Sequence, residues 1–176
     1  MSYIDKLTNL PTISWVRDCW DEFESSLPEI NTMLYFDVDT LICFTDIYGM
    51  QESDNKLKFV ADTIREFLPD KFPVVRFAGD EFVCLVNEND FSKEKLSALI
   101  KKLDLLDVKI ENVVSYSNID HFSVSACMIK NVNPKSFQEL GKLTDRAIQA
   151  IEKKKSHIEN RKYQHQGVLA VEGMSD

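Results

Sequence analysis

The stretch from Pro73 to Val86 constrains the fold more than any other part of the chain. Pro73-Val74-Val75-Arg76-Phe77 and Phe82-Val83-Cys84-Leu85-Val86 are two runs of strand formers, separated only by Ala78-Gly79-Asp80-Glu81. So short a connection, with Gly and Asp in it, predicts an antiparallel hairpin. Such a hairpin needs partners for its apolar faces, and the sequence supplies them. Met33-Leu34-Tyr35-Phe36 reads as a buried strand that ends abruptly in Asp37-Val38-Asp39, and the residues from Phe122 to Ile129 read as a further strand.

Helical spacing accounts for most of the rest. Trp15, Cys19, Phe23 and Leu27 predict a helix between Pro11 and Pro28. Leu57, Val60, Ala61, Ile64, Phe67 and Leu68 trace a second, stopped by Pro69, and Leu96, Leu99, Ile100, Leu103 and Leu106 a third. Phe137, Leu140, Leu143, Ala147, Ile148 and Ile151 form the apolar face of the last. Strands and helices interleaved in this way predict an α+β fold, a central mainly antiparallel sheet flanked by helices. A chain of 176 residues suits one domain, which we place at 1–163, with 164–176 a C-terminal tail carrying a short strand over Val168-Leu169-Ala170-Val171.

Charge narrows the partners. The net charge is −8, from 21 Lys+Arg against 29 Asp+Glu. That argues against non-specific binding to nucleic acid or to anionic membranes, where basic surface supplies most of the affinity. A nucleotide ligand stays open, because a metal ion can carry the positive charge. No apolar run approaches the ~20 residues that span a bilayer, and Met1-Ser2-Tyr3-Ile4-Asp5-Lys6 lacks a signal-peptide core, so the expected location is cytoplasmic. The four cysteines, Cys19, Cys43, Cys84 and Cys127, are dispersed and read as reduced core thiols rather than zinc ligands or disulfides. His121, His157 and His165 read as surface or packing residues, and Trp15 and Trp20 as core or interface.

Chemistry concentrates in two acidic clusters beside strongly apolar sequence: Asp37 with Asp39 at a strand end, and Asp80-Glu81 in the hairpin. If the first strand pairs beside the hairpin, Asp37 and Asp80 converge at one sheet edge. Carboxylates that close repel one another unless a cation sits between them, and Mg²⁺ or Mn²⁺ takes carboxylate oxygens while leaving positions for phosphate. Ordinary turn and capping chemistry explains the same residues without a metal, and spacing does not choose between the two.

Arg76-Phe77-Ala78-Gly79-Asp80-Glu81-Phe82 resembles the signature hairpin of GGDEF domains, the diguanylate cyclase family. Other segments match in order and spacing. Asp5-Lys6-Leu7-Thr8-Asn9-Leu10-Pro11 resembles the family's DxLTxLP segment, Phe36-Asp37-Val38-Asp39 its DxD strand end, and Thr45-Asp46-Ile47-Tyr48-Gly49 its NDxxG helix segment. Ser53-Asp54, Ser123-Val124-Ser125 and Thr144-Asp145-Arg146-Ala147-Ile148 follow at the later motifs, so the resemblance runs over about residues 3 to 161.

The resemblance implies a fold similar to the palm of nucleotide cyclases and a synthase that turns two GTP into cyclic di-GMP and two pyrophosphates across a homodimer. It implies Mg²⁺ or Mn²⁺ held by Asp37, Asp80 and the Val38 carbonyl, with Asp37, Asp80 and Glu81 as catalytic residues. Leu41, Ile42, Thr45, Asp54, Gly79, Lys153 and Lys154 would face substrate, Gly79 by letting the backbone approach the nucleotide. A bacterial signalling protein is the corresponding biology, its dimer formed through the domain's own surface or with a separate sensor or dimerising partner.

Several positions depart from the family pattern. Ala78 stands for the first signature Gly, Ile42 for a Lys, and Thr45 for the Asn that reads guanine, which leaves the base preference open. Direct register from Asp145 puts Glu152 and Ser156 where the family has a Lys and an Arg on the triphosphate. Lys153, Lys154, Lys155 and Arg161 lie close enough to substitute if the helix shifts; a solvated helix end explains the run equally well. Pro69 and Phe72 occupy the RxxD positions, so no product-inhibition site is expected. Three readings follow: a synthase, a degenerate domain that binds a nucleoside triphosphate or a protein partner without catalysis, and a scaffold.

Overall fold

The computed structural model describes residues 3–104, 123–156 and 167–173. Five strands form one sheet: β1 (Thr32–Val38), β2 (Val74–Arg76), β3 (Glu81–Val86), β4 (Val124–Lys130) and β5 (Leu169–Glu172). Their spatial order is β2-β3-β1-β4-β5. All pairings are antiparallel except the last, in which β5 runs parallel to β4. β1 is therefore central, hydrogen-bonded on both sides, and its backbone polar groups are satisfied without water.

Burial of consecutive residues shows that both faces of the sheet are covered. Met33, Leu34, Tyr35 and Phe36 alternate between faces along β1, yet all four are buried. The covering layers are helical: α1 (Ile13–Asp18), α2 (Trp20–Ser26), α3 (Leu41–Tyr48), α4 (Met50–Phe67), α5 (Lys93–Asp104) and α6 (Phe137–Ser156). α4 packs on α5, and α6 lies against β4 and β5. This is the mixed architecture that the hydropathy pattern predicts. Among the described residues no helix is long and apolar enough to cross a membrane.

The structure differs from the sequence reading at several places. The first helix is broken at Cys19, whose backbone (φ −127°, ψ 45°) is not helical. Trp15 and Trp20 both pack on Phe23, with ring centroids 5.5 and 5.6 Å away, so the break serves core packing. The second helix starts at Met50, seven residues before its apolar face begins at Leu57. Its first two turns pair with α3 across Gly49, whose φ of +88° is open to glycine without strain. Only Cys84 and Cys127 are core thiols; Cys43 is exposed and Cys19 half-buried, and all are free. The short tail strand expected over Val168–Val171 is present one residue later, as β5, with Ala170 and the preceding Val168 buried. Leu106, Phe122, Arg161 and the three histidines lie outside the described residues.

Phe36 is fully buried at the middle of the sheet. Phe36→Ala is expected to lower the unfolding free energy by about 3–5 kcal/mol, read from urea denaturation midpoints.

Candidate active site

β1 and β3 pair in a register that sets Asp37 opposite Glu81, and β1 and β4 set Asp37 opposite Ser125. Residues directly opposite share a sheet face, so Tyr35, Asp37, Glu81 and Ser125 lie on one side, and the next residue of that parity is Asp39. The Val38 N–H donates to the Asp80 carbonyl at 3.1 Å, which brings the hairpin turn against the end of β1. The two acidic clusters thus meet, as expected if the strands were neighbours.

The turn itself is held from the N-terminal segment. Asp5 accepts the Thr8 amide (2.8 Å), the Thr8 hydroxyl (2.7 Å) and Arg76 Nη1 (2.8 Å). Burial alone would raise the Asp5 carboxyl, but these donors outweigh it and hold the group below its usual range. Arg76 also donates from Nε to the Gly79 carbonyl at 3.2 Å, and again from Nη2. One guanidinium therefore fixes the conformation of the Ala78–Gly79 turn and ties it to the segment from Asp5 to Thr8. At Gly79 nothing lies within 4 Å of where a Cβ would sit, so internal packing does not require glycine there.

Electrostatically the site is crowded with negative charge. The Asp37 carboxyl is pushed up to about 6, by burial first and then by Asp39, Asp80 and Glu81, while Lys155 works in the opposite direction. Glu81 is also raised, by burial and by Asp80, with partial relief from the Tyr35 hydroxyl that hydrogen-bonds it. Buried Tyr35 is in turn pushed well above its ordinary value, by burial and by Glu81 and Asp37.

Asp39, which the sequence marks only as part of a DxD pair, is the most enclosed carboxylate. It is 5% exposed and accepts the Ser123 hydroxyl at 2.7 Å and the Ser125 hydroxyl at 2.8 and 2.9 Å. Its own N–H donates to the Ser123 carbonyl at 3.0 Å. The third partner residue is Lys155, from the last turn of α6: its ammonium contacts Asp39 Oδ1 and lies 3.7 Å from Asp37 Oδ2. Of the basic run, then, Lys155 reaches the carboxylates. Lys154 donates to the Leu169 carbonyl of β5, and Lys153 is exposed.

The substrate-side positions sit on α3 and α4. Thr40, at φ +57°, turns the chain sharply out of β1, so that Leu41 and Ile42 open α3 directly beside the carboxylates. Thr45 donates its hydroxyl to the Leu41 carbonyl at 2.8 Å and shares a 2.6 Å hydrogen bond with Ser53. The Thr45 hydroxyl is thus engaged between the two helices. Asp54 is half-buried on the next residue, and Ile42 is 77% exposed.

The donors that Asp37, Asp80 and the Val38 carbonyl could offer are all oxygens, the chemistry that would suit a hard divalent cation. Among the described residues no three His, Cys, Asp or Glu side chains are arranged to hold a metal by themselves, so water or phosphate oxygens would complete the shell of any ion bound there. The sequence model of the diguanylate cyclase GGDEF domain family matches residues 2–161. This chain belongs to the GGDEF family. Solved structures share its fold. They include diguanylate cyclase SiaD of Pseudomonas aeruginosa with its activator SiaC (17% identical, TM-score 0.65, covering 96% of this chain and 62% of that one). The coiled coil and GGDEF domain of Caulobacter crescentus DgcB, in complex with c-di-GMP, is 19% identical (TM-score 0.63, 97% and 85% covered). The FimX GGDEF domain of P. aeruginosa is 14% identical (TM-score 0.65, 96% and 99% covered). Among curated proteins, the uncharacterized protein y4lL of Sinorhizobium fredii is 26% identical over 152 residues; the match takes in 85% of this chain but only 18% of that protein.

Because the folded GGDEF domain holds the Asp37 carboxyl above its ordinary 3.8, the folded state binds the proton more tightly than the unfolded state does. That contribution to stability is complete below pH 3.8 and is lost as pH rises through about 6. The stability of the wild type relative to Asp37→Asn is therefore expected to fall between these two values in metal-free buffer, as read from urea midpoints at each pH.

Proposed function

We propose that this GGDEF domain is a cyclic-dinucleotide synthase of diguanylate cyclase type. The observation that carries the reading is the convergence of Asp37, Asp80 and Glu81 where β1 meets the hairpin turn, where burial and mutual repulsion hold Asp37 and Glu81 above their ordinary values. Carboxylates raised in this way destabilise the fold when ionised, and a cation or cationic ligand reverses that.

Asp37, Asp80 and the Val38 carbonyl would hold Mg²⁺ or Mn²⁺, which when bound neutralises triphosphate charge and favours ionisation of the attacking 3′-hydroxyl. Glu81, oriented by Tyr35, stands ready to take the 3′-hydroxyl proton. The first amides of α3, at Leu41 and Ile42, have no partner within the helix and suit phosphate oxygens. The open space over Gly79 admits the nucleotide backbone. Asp54 supplies a contact to the base edge and GTP is the expected substrate. Each 3′-hydroxyl would attack the α-phosphate held by a partner subunit, giving cyclic di-GMP and two pyrophosphates. The site is thus complete only in a homodimer; that diguanylate cyclase SiaD is found in complex with an activator, SiaC, supports a separate partner protein as the means of regulation.

A second reading has its own support. Thr45 is bonded to Ser53 rather than presented to a base, Ile42 offers no charge, and Lys154 is taken by β5. A degenerate domain that binds a nucleoside triphosphate or a protein partner without turnover fits those three features.

Purified protein with Mg²⁺ or Mn²⁺ and each nucleoside triphosphate is expected to yield a cyclic dinucleotide by mass spectrometry. The rate should rise more than linearly with protein concentration, and Asp80→Ala should abolish the product. Triphosphate binding without product selects the degenerate domain; neither leaves a scaffold. Gly79→Ala should leave the unfolding free energy within about 1 kcal/mol while weakening nucleotide binding.

A further inference from the structure

The ammonium of Lys155 lies where a divalent cation would have to approach. It is in contact with Asp39 and 3.7 Å from Asp37 Oδ2, on the same sheet face as Glu81. Resting on the metal-carboxylate reading above, we infer that Lys155 is a tethered cation that competes with divalent metal for Asp37.

The tether is well defined. Lys155 stands on the last turn of α6, and the body of that helix is anchored by buried Leu140, Thr144, Ala147 and Ile151. The Lys155 side chain is 28% exposed and its principal partner, Asp39, is fixed by two serine hydroxyls, so the ammonium is positioned rather than free in solvent. A metal ion on an Asp37 oxygen would sit ~2.1 Å from it and hence a few ångströms from the ammonium. At such a separation a unit positive charge and a divalent cation repel one another, the more so in a partly buried site. The ammonium therefore has to withdraw from Asp37 towards Asp39 or solvent as the metal enters. Metal-free, it supplies positive charge that holds the carboxylates together; with metal bound, that charge is redundant and opposing.

The test is a Mn²⁺ titration of the whole chain, followed by calorimetry and by the loss of free-ion paramagnetic signal, beside Lys155→Gln, Lys155→Arg and Asp80→Ala. Gln can still donate a hydrogen bond to Asp39 but carries no charge, so Lys155→Gln should bind Mn²⁺ about tenfold more tightly, and Lys155→Arg like the wild type. Equal or weaker affinity in Lys155→Gln overturns the inference and leaves Lys155 a structural partner of Asp39. If Lys155→Gln is unfolded without metal, refolding on Mn²⁺ addition supports the competition and failure to refold overturns it. Asp80→Ala separates the two levels. Mn²⁺ binding that Asp80→Ala removes, but Lys155→Gln leaves unchanged, defeats only the Lys155 inference; binding indifferent to Asp80→Ala defeats the metal-carboxylate reading and the inference with it.

Discussion

Asp39 is a carboxylate taken almost wholly out of water at the end of the central strand, and a charge in that position is tolerated only if every lone pair finds a donor. Its donors come from two directions. Ser123, just before β4, and Ser125 within it lie on one side, and Lys155 at the end of α6 on the other. Ser125 additionally accepts the Val168 N–H at 3.3 Å, which draws in the segment leading to β5. One buried anion thus sets where β1, β4, α6 and β5 lie relative to one another. Removing a partner would leave an uncompensated charge among apolar side chains, a far larger effect than losing one surface ion pair.

The hairpin side of the site is organised by a second polar hub of opposite sign. Arg76 bridges Asp5 and the Gly79 carbonyl, so the N-terminal segment from Tyr3 to Thr12 braces the turn that presents Asp80 and Glu81. The two hubs meet at the β1–β3 register. Between them lie Asp37 and Glu81, the carboxyls that burial and mutual repulsion raise. The fully hydrogen-bonded groups form the frame, and the carboxyls with raised pKa lie between them.

Much of the fold was legible because its signals are local. The hairpin turn, the apolar run of β1 and the faces of α4, α5 and α6 are properties of neighbouring residues and of period 2 or 3.6. Errors fell where packing overrode periodicity. Cys19 continues the helical spacing of Trp15 and Phe23, yet the helix breaks there so that both tryptophans can pack on Phe23. The first turns of α4 and the half-buried or exposed positions of Cys19 and Cys43 depend on how α2 and α3 dock, which no short window contains.

In the site, residue types and order were readable from the chain: the acidic pairs, the Gly-containing turn, the departures at Ile42, Thr45 and Ala78, and the GGDEF resemblance. What the tertiary structure decided was which basic residue meets the carboxylates and which hydroxyls are spoken for. Lys153, Lys154 and Lys155 are equivalent as sequence, but successive residues on a helix point about 100° apart, and only Lys155 faces Asp39. Thr45 could face a base or a neighbouring helix until α3 and α4 were packed, and packing gave it Ser53. Sequence sets chemical identity and local conformation; the direction of a side chain relative to a group more than a hundred residues away is set only when the intervening core closes.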